Sequence, residues 1–246
     1  MIPPFLSVII PAYNEAGRLR PTLAAIRRFL DDWGRPYEIL VVDDGSADET
    51  AGRAREAGGP VVSVLSNGRN RGKGYSVRRG MLAATGDLRL MCDADLSTPI
   101  EEFPRLLSHL DDGHDVAIGS RALPDSKVEV RQPLYRESMG RLYNQLVRLL
   151  FLSGLHDTQC GFKLFTARAA RLSFEPARLE GFSFDVETLF IAKRRGLKIA
   201  EVAVTWRNDA ASRVGMARGA LAFFDLLRIR ANDLVGRYEA PSRQGL

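Results

Sequence analysis

Short apolar runs separated by polar, helix-spaced stretches set the rhythm of this chain. LSVII (6–10), EILVV (38–42), VVSVL (61–65), LRLMC (88–92) and DVAIGS (115–120) are rich in β-branched and aliphatic side chains. Between them, about 15–30, 48–57 and 74–85 carry apolar residues at helical spacing, and another helix is expected from near Pro99, with Ser97 or Thr98 as its N-cap. Continuous rather than alternating apolar runs mean strands covered on both faces, and strand–helix alternation builds βαβ units. The expectation is an α/β fold, a Rossmann-like, mostly parallel sheet covered by helices. After residue 120 the pattern changes. Residues 135–155 and 213–237 read as amphipathic helices with basic flanks, a helical C-terminal elaboration. No repeat, linker or low-complexity segment intervenes, so one domain over 1–246 is expected, with halves of about 1–120 and 121–246.

Right-handed crossovers place ligands at the carboxyl ends of such strands. Four polar motifs fall there: PAYNE after the first strand, DDGS after the second, DAD after the fourth and GSR after the fifth. In DAD, Asp93 and Asp95 are two residues apart. Alternating side chains put such a pair on one face of a strand, Cα atoms ~6.5 Å apart. Crowded like charges are costly unless a cation lies between them. A solvated acid pair at a turn is the ordinary reading of a lone D-x-D; the agreement of four motifs at one sheet edge moves it toward a shared divalent ion. PAYNE has its own plain reading, a strand-to-helix turn capped by Asn14. NRGKG sets Lys73 between Gly72 and Gly74 before a helix, either a phosphate site made of backbone N–H groups and one cation or a structural glycine turn.

Composition narrows the classes. Hydrophobic residues at 45% and charged residues at 26% describe an ordinary globular chain with enough apolar side chains for a large core. Two cysteines, Cys92 and Cys160, make neither a disulfide framework nor a thiolate metal cluster, so a reducing compartment is expected. The opening MIPPFLSVIIPAYNE lacks a basic segment before a long apolar run, and no apolar run reaches the length of a membrane span, so neither a leader nor a spanning helix is expected. The net charge of +5 is spread rather than gathered in a tail, which argues against nucleic acid. No Walker A spacing occurs and no GxGxxG follows the first strand, so NTPase and dehydrogenase readings lose their main support. His109, His114 and His156 show no ligand spacing.

Taken together, SVIIPAYNE, VVDDGSADET, NRGKGYSVRRGML, DADLSTP, GSR, DTQCGFKLF, FSFDVE and Trp206 with SRVGM resemble the family 2 glycosyltransferases of A-type fold. Within that family the chain is most similar to the polyprenyl-phosphate sugar synthases, in particular the dolichyl-phosphate β-glucosyltransferase branch. The resemblance covers roughly residues 5–215. It implies an inverting, Mg²⁺- or Mn²⁺-dependent transfer of a hexose, glucose from UDP-glucose, to a polyprenyl phosphate. The alternatives are a GDP-mannose donor with the same acceptor, a soluble hydroxyl acceptor, and more remotely a nucleotidyltransferase. It also implies a peripheral protein on the cytoplasmic membrane face.

Residue roles follow from both sources. Asp95 is the primary metal ligand and Asp93 supports the metal or the donor ribose; the family pattern places a further ligand where this chain has Ser97. Asp43 and Asp44, at the end of the second strand, can accept a base N–H or bind ribose hydroxyls, and by resemblance Pro11, Ala12, Tyr13 and Glu15 complete that nucleoside pocket. Lys163 and Arg213 can add positive charge near the diphosphate. A phosphate monoester is largely dianionic at neutral pH, its second pKa being ~6, so it attacks without a base and needs cations to position it. Arg121 and Arg136 suit that task through their planar forks and stand where the resemblance puts acceptor-phosphate arginines. Gly140 occupies a place where the family often has a hydroxyl residue, with Ser138 nearby. Asp157 is expected to orient the sugar, to act as base for a hydroxyl acceptor, or to hold its loop by hydrogen bonds. Asp185 and Glu187 fit a helix N-terminus, where acids are favoured in any case.

Overall fold

The computed structural model of the chain describes residues 3–130, 134–207 and 216–239, without the side chains of 130, 134–139, 141 and 216–221. Seven strands form one sheet: β1 (Leu6–Ala12), β2 (Tyr37–Asp43), β3 (Val62–Ser66), β4 (Leu88–Cys92), β5 (Val116–Ser120), β7 (Phe162–Thr166) and β8 (Ile199–Ala203), in the order β3-β2-β1-β4-β7-β5-β8. β6 (Lys127–Val130) and β9 (Thr205–Arg207) form a separate parallel pair. The helices are α1 (Ala16–Trp33), α2 (Thr50–Gly58), α3 (Lys73–Ala83), α4 (Phe103–Asp111), α5 (Leu134–Leu150), α6 (Ala167–Phe174), α7 (Phe184–Arg194) and α8 (Met216–Leu234). The five strands expected from apolar runs are present, and the sheet is parallel except at β7, which runs antiparallel to both neighbours.

That exception positions the site. The chain reaches β7 from the 156–161 loop at the carboxyl edge of β4, so it enters the gap between β4 and β5 running backwards. Phe162 pairs with Cys92, which sets Gly161 against Asp93.

Each face of the sheet buries its own core. On β1, Val8 and Ile10 pack with Leu23, Ile26 and Phe103, while Ile9 packs with Val42, Met81 and Phe165 on the other face. α3 lies close enough to β1 that a Cβ on Gly80 would come within 2.5 Å of Ile9 Cγ2. This close approach reserves the position for glycine.

One start signal differs from expectation. Neither Ser97 nor Thr98 caps a helix: a 3₁₀ turn (Ile100–Glu102) follows Pro99, and α4 begins at Phe103 without a side-chain cap. Thr98 turns its hydroxyl to Cys160 Sγ at 3.6 Å, and the Ser97 N–H donates to Asp95 Oδ1 at 2.9 Å. Both are therefore engaged with the acid loop and the neighbouring 156–161 loop.

Candidate active site

The first two carboxyl-end loops are stitched together. Asn14 adopts φ +56°, a left-handed conformation that Asn tolerates better than most residues. Its N–H donates to Ser46 Oγ (2.9 Å), its Oδ1 accepts from the Ala47 N–H (2.9 Å), and the Glu15 N–H donates to Thr50 Oγ1 (2.8 Å). Asn14 thus ties one loop to the next instead of capping α1, whose N-cap position, Glu15, has no side-chain cap bond.

A cavity of about 950 Å³ opens over this edge. Pro11, Ala12, Tyr13, Glu15, Asp44, Lys73, Asp93 and Asp95 all line it. Sequence reasoning therefore gathered eight side chains that the fold does bring together. Asp43 sits behind the lining, buried, with Oδ1 accepting from the Ser46 N–H at 3.2 Å. Asp44 organises the next loop: it accepts from Asn67 Nδ2 (2.8 Å) and from the backbone N–H groups of Arg71 (2.9 Å) and Gly72 (2.8 Å).

Those bonds correct the glycine-loop expectation. The Gly72 N–H is committed to Asp44 and the Gly74 N–H to Glu180 O (2.8 Å), so neither is part of a phosphate cradle. The glycines serve close backbone approach. A Cβ on Gly72 would overlap Glu180 O, and one on Gly74 would lie 2.6 Å from Leu179 O. Lys73, between them, reaches Asp93 Oδ1 at 2.6 Å. Burial works against its ammonium, but the charges of Asp93 and Asp185 outweigh that and hold its pKa above the usual lysine value.

The two acids are held from three sides. Thr22 of α1 donates to Ala94 O (2.7 Å), anchoring the residue between them. Leu96 follows at φ +47°, an uncommon conformation for a residue with a Cβ, so the acid loop carries local strain. Gly161 forms the third side: a Cβ there would overlap the Asp93 carboxylate. Burial, and then the negative charge of Asp93, push the Asp95 carboxyl above its ordinary pKa. Two hard oxygen donors crowded in this way suit Mg²⁺ or Mn²⁺, which keep several waters and need few protein ligands. Among the described residues no group of three or more Asp, Glu, His or Cys side chains is gathered to hold a metal ion.

Gly161→Ala is accordingly expected to dislodge Asp93 while the hydrophobic core stays intact. A misplacement near 1 Å costs on the order of 10²-fold in rate. Steady-state turnover measured beside thermal unfolding checks this; wild-type turnover in the variant would show that Asp93 needs no such seat.

Arg121 and Asp157 form a fork outside the cavity lining. Arg121 Nε and Nη2 meet Asp157 Oδ2 and Oδ1 at 2.6 and 2.9 Å, and the Arg121 N–H also donates to Oδ2 at 3.0 Å. Asp157 is 2% exposed. Burial opposes its charge, yet the guanidinium beside it prevails and lowers its pKa to about 2. Burial likewise opposes the Arg121 charge, and Asp157 more than compensates, raising its pKa. A carboxylate with both oxygens engaged and so low a pKa is a poor proton acceptor near neutrality. What Asp157 does here is aim Arg121, which also stands over the Trp206 ring, 5.3 Å from its centroid.

Lys163 departs from its expected place near a diphosphate. It is 1% exposed and bonded to Asp185 Oδ1 (2.5 Å) and Cys160 O (2.6 Å). Burial keeps the Asp185 carboxyl above its normal pKa despite that partner. Asp185 and Glu187 do lie in the first turn of α7. Arg213 and the side chain of Arg136 fall outside the described residues.

The far wall of the cavity was not anticipated from the sequence. It consists of the 178–183 loop and of Ala222, Asp225, Arg228, Ala231 and Asn232 from α8, with Arg237 beyond it. Glu187 holds this wall: it accepts from the N–H groups of Arg178 (2.9 Å) and Leu179 (2.8 Å) and from Tyr238 Oη (2.6 Å). The acid pair in FDVE was the signal available, but a first-turn acid already has an ordinary explanation in the helix dipole.

The profile described as Glycosyl transferase family 2 matches residues 7–172. Over 97% of its length the chain is 36% identical to a dolichyl-phosphate beta-glucosyltransferase of Dictyostelium discoideum, covering 77% of that protein. It is 38% identical over 97% of its length to the Drosophila melanogaster protein of that name, covering 78% of it. The fold is shared with mannosyl-3-phosphoglycerate synthase from Rubrobacter xylanophilus, with TM-score 0.72, 20% identity and coverage of 99% of this chain and 78% of that one. It is also shared with glucosyl-3-phosphoglycerate synthase from Mycobacterium tuberculosis, solved with Mn²⁺, uridine diphosphate and glucosyl-3-phosphoglycerate, with TM-score 0.70, 21% identity and coverage of 98% and 82%. The fold is that of the A-type glycosyltransferases. The chain belongs to glycosyl transferase family 2.

Proposed function

We propose that the enzyme transfers glucose from UDP-glucose to a polyprenyl phosphate with inversion, using Mg²⁺ or Mn²⁺ at Asp93 and Asp95 and working as a peripheral protein at the cytoplasmic membrane face. The observation that carries this reading is the crowded Asp93–Asp95 pair on the floor of a nucleotide-sugar-sized cavity. The names borne by relatives at 36–38% identity supply the sugar and the acceptor.

A bound divalent ion supplies Lewis-acid neutralisation of the departing diphosphate. The chain's own residues do the rest. Tyr13, 40% exposed at the cavity rim, offers a ring face to the base, beside Pro11, Ala12 and Glu15. Lys73 sets a cation next to Asp93, and in this reading it neutralises the donor diphosphate. Arg121, held by Asp157, binds the acceptor phosphate in this reading, the role that the family resemblance also assigns to Arg136. A dianionic acceptor is its own nucleophile; the commitment of Asp157 to Arg121, which leaves it unfit as a base, supports such an acceptor over a hydroxyl. Among the described residues no helix is long and apolar enough to cross a membrane.

The test is product analysis with a panel of nucleotide sugars, with and without polyprenyl phosphate. A β-linked glucosyl lipid phosphate and UDP are expected, and UDP with Mg²⁺ should raise the unfolding temperature more than GDP does. Stronger protection by GDP with mannosyl transfer would replace the donor. Transfer to a soluble hydroxyl, or release of pyrophosphate, would replace the reaction.

A further inference from the structure

The described part of α8 exposes an unusual set of side chains. From Ala222 to Leu234 its exposed positions are Phe224, Leu227, Arg228, Arg230, Ala231 and Leu234, every one apolar or arginine. Phe224, Leu227 and Leu234 are 65%, 68% and 77% exposed, and Val235, just past the helix, 67%. The acids of this stretch are turned inward: Asp225 pairs with Arg228 (3.4 Å), and Asp233, 7% exposed, pairs with Arg194 (2.8 Å) and Arg230 (3.5 Å). At ~100° per residue, 224, 227, 231 and 234 form a stripe about 80° wide, with Arg228 on one flank and Arg230 on the other.

The neighbouring helix continues the theme. α5 meets α8 through an edge-to-face contact of Tyr143 with Phe223, centroids 5.6 Å apart. It exposes Leu142 (53%), Leu149 (81%) and Leu150 (53%), with Arg148 exposed beside them. Singly exposed leucines are normal on a protein surface; a gathered set flanked by one sign of charge marks an interaction surface.

We propose that this α5–α8 face docks on an anionic lipid surface, with the α8 stripe entering the headgroup–acyl boundary and the arginines pairing with lipid phosphates. Apolar area combined with guanidinium flanks is the pattern of an interfacial helix. A second copy of the chain fits less well, because joining two such stripes would bring their arginines together. The position of the stripe relative to the cavity adds the functional point. Arg228 and Ala231 belong to the cavity wall as well as to the exposed face, so docking sets the cavity mouth at the interface. A lipid-linked phosphate then reaches the site without its chain leaving the bilayer. This rests on the lipid-phosphate reading of the acceptor.

The experiment uses the full chain with sedimented vesicles of phosphatidylcholine, with and without phosphatidylglycerol, beside transfer assays on detergent-dispersed polyprenyl phosphate. Wild type is expected to bind the anionic vesicles and to release as salt rises. Phe224→Asp with Leu227→Asp should weaken that binding at least tenfold, and Arg230→Gln several-fold, with unfolding temperature and detergent-phase transfer retained. Unchanged vesicle binding in the double variant overturns the proposal. So does a concentration-dependent wild-type dimer that the double variant abolishes, since the stripe then meets another copy. Transfer to polyprenyl phosphate in detergent without vesicle binding sinks the docking face alone. Vesicle binding without any transfer to the lipid leaves the face standing and removes the acceptor reading.

Discussion

Asp95→Asn is expected to reduce turnover by roughly 100–1,000-fold while leaving the unfolding temperature at or above that of wild type. The loss is the several kcal/mol of transition-state charge stabilisation assigned to a bound divalent ion, at 1.36 kcal/mol per tenfold. The retained stability follows from the sign of the pKa shift. Burial and Asp93 hold the Asp95 carboxyl up, so its charged form is disfavoured in the folded state, and a neutral amide of the same shape removes that penalty. Excess EDTA should have the same effect on wild-type turnover, and Mn²⁺ binding followed by calorimetry should weaken in the variant. Full wild-type activity in EDTA would end the metal-dependent reading. A marked fall in unfolding temperature would make Asp95 a structural acid instead.

The second large effect is on stability. Arg121→Ala leaves the Asp157 carboxylate buried without its partner, and breaking such a pair costs about 3–5 kcal/mol. For a chain of this size that lowers the unfolding temperature by roughly 6–20 °C. Arg121→Met with Asp157→Leu removes both charges and should recover most of the loss, yet acceptor use should stay impaired if Arg121 makes the proposed phosphate contact. A double variant with normal KM for polyprenyl phosphate would show that the fork is only structural. The pair also predicts a pH dependence. The folded pKa of Asp157 is depressed to about 2, below the ordinary ~3.9, so its stabilisation is fully present above the ordinary value. It is lost as pH falls from about 4 toward 2. Acid unfolding of Asp157→Asn compared with wild type isolates this contribution: the stability difference should shrink as pH falls through that window. An unchanging difference would contradict it.

Much of this site was legible because its residues lie within a few positions of strand ends. Tyr13, Asp44, Asp93 and Asp95 each follow an apolar run, and parallel strands deliver their carboxyl ends to one edge, so order along the chain translates into proximity. The glycines were legible as glycines but not in their purpose. Nothing local in NRGKG says that Gly72 and Gly74 face Leu179 and Glu180, more than a hundred residues away. Nor does CGFK say that Gly161 seats Asp93; that depends on β7 running against β4.

By itself, then, the sequence determined the alternating α/β architecture, the five parallel strands and the acid pair at the end of the fourth. The strands follow from apolar run length, a local property. The acids, expected on one face of a strand, lie instead in the turn that follows Cys92, so it is that turn and not strand alternation that brings them together. The tertiary structure decided which charges are spent inside the protein. Lys163, expected as a site cation, is consumed by Asp185. Of the three roles expected for Asp157, the hydrogen-bonding one is what the structure shows, with its carboxylate taken up by Arg121 and the Gln159 N–H. It also decided that α8 supplies one wall of the cavity and turns an apolar, arginine-flanked face outward. A helical pattern tells which residues share a face, but only packing tells which face is left without a partner.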